Sequence, residues 1–276
     1  MNGRRETEDG RREVADAPPP EKKAGVVEAI VLPTLTAAAL VTLWHLAVRL
    51  SHTDVFPSPL AVLRGLGELA RKGLLGTYVR DSLVRVAAGY SLALLFGIPI
   101  GIALGWYSSA ARAINPVIQF LRPISPLAWI PVAIVLFGVS NSAAIFLIFL
   151  ASFFPIVVAT TNGVRNVPSM YLQAGRNFGL SAPALFSRVI FPAALPRVLT
   201  GLRVSLGVAW LVVVAAEMIA VNSGLGYLVI DSRNAGKRYD LVIAAMLLIG
   251  VIGLALNTLV RLVERLRAVR WGFNAP

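Results

Sequence analysis

Residues 173–203, QAGRNFGLSAPALFSRVIFPAALPRVLTGLR, interrupt a chain of long apolar runs with a polar, arginine-bearing segment. On either side lie runs of about 20 apolar residues, the length demanded by a hydrocarbon core about 30 Å thick. The segment carries Arg176, Arg188, Arg197 and Arg203 among small and turn-forming residues: Ala174, Gly175, Gly179, Pro192 and Pro196. With Pro168 near its start and Gly179 ending or bending it, a short helix is expected over about 168–182. Pro192 and Pro196 read as a rigid hinge ahead of the next span.

Composition sets the class. The chain has 276 residues, 57% hydrophobic and only 14% charged, with mean hydropathy +0.73. A soluble domain so composed would have too little polar surface, so the expected fold is all-α, a polytopic membrane bundle. The chain has no cysteine, which excludes disulfides and thiolate metal sites. Net charge +12 reports topology and anionic lipid in such a protein rather than nucleic acid. Residues 1–25 alternate acids and bases and end in Pro18, Pro19, Pro20, Glu21, Lys22 and Lys23, a composition that cannot bury a core. They are read as a disordered cytoplasmic tail, not a signal peptide, ahead of a transmembrane domain over 26–276.

Six spans are expected, at about 28–50, 82–106, 123–138, 142–163, 203–222 and 241–260. The third is short and holds Pro123, Pro126 and Pro131. Its freed carbonyls need protein or water, so it should face the bundle interior. An inside tail puts seventeen of the 26 Lys and Arg in the cytoplasm, Arg112 and Arg122 included. The positive-inside rule therefore places both ends and the loop 164–203 on the cytoplasmic side. Outside, Phe56-Pro57-Ser58-Pro59 opens an amphipathic helix with apolar residues at 60, 63, 66, 69 and 70, ended by Gly73.

Several residues stand out within the spans. Gly97, Gly101 and Gly105 form two overlapping G-x-x-x-G units, suited to close helix packing within the chain or to a dimer seam. Glu217 is the one acid placed inside a span, about 20 Å from the inner end of the fifth at 1.5 Å per residue. It serves either a gate or translocation path, or a structural bond to a donor on another helix. Asn257, Trp129 and Trp210 are candidates for the same path, with interhelical packing as the plainer role. His45 and His52 have no partner at ligand spacing, so no metal site is expected. P-loop, H-E-x-x-H and G-x-S-x-G patterns are missing, so energy must come from another chain.

The opening segment resembles the "EAA" loop of ABC importer permeases: Glu-Ala-Ala, three residues, Gly, nine residues, Ile-x-Leu-Pro. Ala174, Gly179 and Pro192 match at that spacing. Gln173, Gly175, Val189 and Phe191 replace the Glu, the second Ala, the Ile and the Leu. Phe120-Leu121-Arg122-Pro123, Ala215-Ala216-Glu217-Met218 and Ser223-Gly224-Leu225-Gly226-Tyr227 extend the likeness. Together they are similar to the permeases of sulfonate, taurine and nitrate/bicarbonate importers. The resemblance implies a type I ABC importer permease in the bacterial inner membrane, without a cofactor of its own. It also implies a second permease copy, two ATPase subunits that bind the ATP, and a periplasmic or lipid-anchored solute-binding protein. Gln173, Ala174, Gly175, Phe178, Gly179, Leu180 and Pro192 would then couple to the ATPase, with one family charge missing at Gln173. The rival reading, an ATPase-independent secondary transporter or channel, would need more intramembrane charge than one acid supplies.

Overall fold

The computed structural model describes residues 26–51, 56–234 and 236–264, and every regular element among them is helical. The expected tail over 1–25 and the basic residues Arg265, Arg267 and Arg270 lie outside the described residues. Two units divide between Thr53 and Asp54. The first contains α1 (Val26–Ser51). Its Thr36 and Thr42 hydroxyls donate to the carbonyls of Leu32 and Ala38 at 2.9 and 2.8 Å, so they bring no unpaired polar group into an apolar helix.

The second unit holds α2 (Pro59–Arg71), α3 (Leu74–Trp106), α4 (Ser108–Leu121), a 3-10 turn (Pro126–Trp129), α5 (Ile130–Phe137) and α6 (Asn141–Arg165). It continues with α7 (Ser169–Asn177), α8 (Ala182–Leu185), a π turn (Phe186–Ile190), α9 (Phe191–Ala220), α10 (Leu225–Asn234) and α11 (Tyr239–Glu264). The centre is α6, flanked along its length by α3 and α9.

Small residues every fourth position let α3 and α6 approach. A Cβ at Gly97 would stand 2.9 Å from Ile156 Cγ2, one at Gly101 2.5 Å from Thr160 Cβ, and one at Gly105 2.6 Å from Val164 Cβ. Gly89 continues the row against Ile148 at 2.7 Å. The G-x-x-x-G face is therefore spent on packing inside the protomer.

Among the described residues, five helices are long and apolar enough to cross a membrane, or six spans if the bent pair 108–121 and 126–137 is one. The third expected span differs from its sequence reading. It is two pieces meeting at 83°, and it begins with α4, in a stretch the apolar pattern leaves as a connection. Pro126 and Pro131 each sit in the first turn of a new helix, where a missing N–H costs nothing, so the chain restarts instead of kinking. The fifth span also begins earlier than 203. Residues Ala182–Ala220 form one 39-residue helix, so Pro192 and Pro196 lie within a continuous rod and not in a separate hinge.

On the opposite end, α2 is capped as its sequence suggests: Ser58 Oγ accepts from Ala61 N–H at 3.3 Å, and Gly73 adopts φ +67° just past the end. Its buried stripe is Val62, Gly65 and Leu69, while Leu60 and Leu63 are exposed. Gly65 sets that choice, because its bare Cα lets Leu241 and Asp240 close in. Arg238 then bridges Glu68 and Asp240 at 2.7 and 2.8 Å. Glu68, held by Arg238 and Lys72, has its carboxyl lowered to about 2.

Candidate functional site

Between α6 and the long helix from Ala182, the loop holds a nine-residue helix, α7, shorter than the expected 168–182. Its end is a Schellman motif. Gly179 N–H donates to Arg176 O at 2.9 Å and Leu180 N–H to Gly175 O at 3.1 Å, with Gly179 at φ +72°. These two bonds satisfy carbonyls the last turn would leave unpaired, and only the left-handed residue allows them. A Cβ at Gly179 meets nothing within 4 Å, so the glycine is needed for its backbone, not for space. Gly175 is the reverse: it is buried, and a Cβ there would come 2.5 Å from Leu185 Cδ1.

The π turn before α9 stacks α7 onto the long helix. Leu185, Ile190, Ala194 and Val198 bury with Val164 and Val167, and Leu172, Leu180 and Val189 pack around them. Arg197 Nη1 donates to Asn166 O at 2.8 Å, tying the end of α6 to α9. The motif residues thus share one place. Ala174, Gly175, Phe178, Leu180 and Pro192 line a cavity of about 430 Å³ with Tyr171 and Val189. Gln173 and Gly179 lie outside that lining, exposed on the same helix end. Phe178 is 85% exposed and Met170 67%. An aromatic ring is thus left bare in the groove lining, with an exposed thioether elsewhere on the same helix.

At the far end, Glu217 is fully buried and partnered on both oxygens. Arg85 Nη1 donates to Oε1 at 2.7 Å, while Ser82 Oγ and Gly226 N–H donate to Oε2 at 2.9 Å each. Arg85, itself 3% exposed, also donates Nε to Asn141 Oδ1 at 2.9 Å, Nη1 to Ser223 O at 2.9 Å, and Nη2 to Ser223 Oγ. The cluster joins α3, α6, α9 and the turn into α10. The glycines of Ser223-Gly224-Leu225-Gly226 are explained by it. Gly224 holds φ +104°, and a Cβ there would collide with the Glu217 carboxylate. Arg85 was missed as a site residue: twelve residues past Gly73 and near an expected span end, it reads as interfacial. The signal was its placement with Ser82, one turn apart on one face.

The other path candidates separate. Trp210 is buried and donates Nε1–H to Ile249 O at 3.0 Å, against Gly253 of α11. Asn257 is half-buried on α11. Trp129 lines a smaller cavity of about 170 Å³ with Arg122. Arg122 is not in an inner loop as its sequence position suggests. It stands at the break between α4 and α5, against the middle of α6.

The second unit is thus an α-helical bundle with one broken span and a short helix, α7, at one end. Residues 97–269 match the family of binding-protein-dependent transport system inner membrane components, and the chain belongs to that family. A putative ABC transporter permease of Methanocaldococcus jannaschii is 38% identical over 242 residues, 85% of this chain and 90% of the relative. The nitrate import permease NrtB of Synechocystis sp. is 35% identical, covering 86% of this chain and 89% of NrtB. The taurine transport system permease TauC of Escherichia coli is also 35% identical, covering 86% and 88%. The inward-facing MetNI methionine ABC transporter shares the fold at TM-score 0.56 and 20% identity, over 70% of this chain and 97% of that one. The chain is thus an ABC importer permease subunit of the membrane. Hydrolysis of ATP belongs to a partner ATPase, and the family works with a solute-binding protein.

Proposed function

We propose that this permease imports a small anion of the aliphatic sulfonate, taurine, nitrate or bicarbonate class by alternating access. The carrying observation is α7 with its C-cap: bare Phe178 lines the apolar groove, and Met170 on α7 is exposed. This helix docks on the ATPase, and ATP-driven closure of the ATPase pair displaces it. Because Ala182–Ala220 is one helix, displacement at α7 moves α9 as a lever, without a proline hinge. Two copies of the chain surround the path, each contributing one docking helix, and a closed two-fold pair supplies the two discrete arrangements.

In the membrane, the loop 164–203, the tail 1–25 and the chain after Glu264 face the cytoplasm. With Arg122 moved to mid-span, sixteen of the 26 Lys and Arg support that side. The solute class rests on the relatives named for nitrate and taurine. Uptake by the permease reconstituted with its ATPase and binding protein tests it, using labelled nitrate, bicarbonate, taurine and methanesulfonate. ATP-dependent accumulation of at least one is expected. Accumulation without ATP would favour a secondary transporter instead.

A further inference from the structure

An arginine, Arg122, stands at the α4–α5 break with no ion-pair partner among the described residues. The helix α6 runs 25 residues, Asn141–Arg165, about 37 Å at 1.5 Å per residue. Its middle, Ala151 to Pro155, forms one wall of the cavity of about 170 Å³ that Arg122, Pro126 and Trp129 close from the α4–α5 break. Val208 completes the wall from α9, twelve residues or about 18 Å short of that helix's end at Ala220. Two independent helices thus place Arg122 near mid-depth.

Arg122 is exposed in the protomer, and its guanidinium has no hydrogen-bond or ion-pair partner among the described residues. Arg85, the other deep arginine, is sheathed by Glu217, Asn141 and Ser223. A bare guanidinium facing lipid at this depth is prohibitively costly, so the surface around Arg122 faces water or protein. Interrupted backbone is tolerated at such depth on the same condition, and residues 122–125 lie between two helices. The break, the charge and the cavity coincide.

We propose that Arg122 is the anion contact within the translocation path, holding the oxyanion of the solute at the α4–α5 break beside Trp129. This rests on the anion-import reading. A guanidinium offers planar, paired N–H donors that fit two oxygens of a nitrate, carboxylate or sulfonate group. Its surroundings, Trp129, Phe154, Ala151 and Val208, are apolar, which strengthens that attraction without adding a second fixed charge to trap the anion. The cavity has room for a solute of a few heavy atoms, given that a water occupies about 30 Å³ in the liquid.

The test uses the complete transporter in proteoliposomes with the same four labelled anions. For whichever the wild type accumulates, Arg122→Gln should lower initial uptake about ten- to hundredfold, the scale of a lost charge-assisted bond. Arg122→Lys should keep a substantial part, while both variants melt with the wild type. In the cysteine-free chain, Arg122→Cys should react with a cationic methanethiosulfonate reagent, be protected by the transported anion, and regain uptake once the ammonium is attached. Wild-type uptake by Arg122→Gln, or a cysteine that never reacts, overturns the proposal while leaving anion import standing. Equal loss in Lys and Gln variants with a lowered melting temperature also overturns it, because Arg122 would then be a structural ion-pair partner. If the wild type accumulates none of the four, the anion reading fails and the proposal with it.

Discussion

Glu217 carries three converging donors on two oxygens, and that geometry decides what its variants do. A glutamine at this position has one acceptor oxygen and an NH2 group that would point at a donor. Glu217→Gln should therefore cost at least about 1–3 kcal/mol, although it keeps the shape. Glu217→Leu should cost about 3–5 kcal/mol, since it strands the Arg85 charge in a buried site. Thermal melts of both variants check this. The double variant Glu217→Leu with Arg85→Met should recover part of the loss, because replacing both charges removes the stranded one. A side chain with 0% exposure offers no surface to a solute in this conformation. Any transport defect in Glu217→Gln would therefore accompany a loss of stability. Sequence alone made Glu217 conspicuous and required a donor nearby, but it could not say which. The partners Ser82 and Arg85 lie over 130 residues away, and only the fold brings them together.

Among elements, the seam of α3 on α6 and the end of α7 respond differently to the same kind of change. Gly101→Leu should destabilise the protein by about 1–3 kcal/mol through overpacking against Thr160, measured as a lower melting temperature of the purified permease. Gly179→Ala should leave that melt nearly unchanged. Its cost is about 1–2 kcal/mol of left-handed backbone strain confined to the loop, and its readout is weaker ATPase association in pull-down. On α2, the Glu68 carboxyl is lowered to about 2 from an ordinary value near 4.5. A depressed carboxyl stabilises the ionised, clamped form above about 4.5 and loses that contribution as pH falls through about 2. Protease resistance of α2 should thus hold from pH 7 down to about 4.5 and then decline, whereas Glu68→Gln should show reduced resistance already at pH 7. The short helix α7, its glycine stop and the capped helix α2 were legible because Pro, Gly and Ser act locally. The face that α2 buries was not, since Gly65 mattered through residues of α11. The broken third span escaped because α4 is amphipathic and does not read as a membrane segment by hydropathy.

The second unit is built around α6: Arg85 and Glu217 lock one end, an interrupted span lies against its middle, and α7 connects through the turn 178–181 to the long helix Ala182–Ala220. The five long apolar helices among the described residues were readable from run lengths. The continuity of Ala182–Ala220 was not, because arginines and prolines in its first half look like a loop until π and α turns are seen to carry them. Transmission of ATPase motion through α7 is the central claim, and the ring of Phe178, 85% exposed, is where it is most directly tested. A photo-crosslinking phenylalanine analogue placed at Phe178 of the assembled transporter should yield an adduct with the combined mass of permease and ATPase. The same probe at Leu60 on α2, also exposed, should yield none. No ATPase adduct from position 178, or an equal one from position 60, would contradict the account.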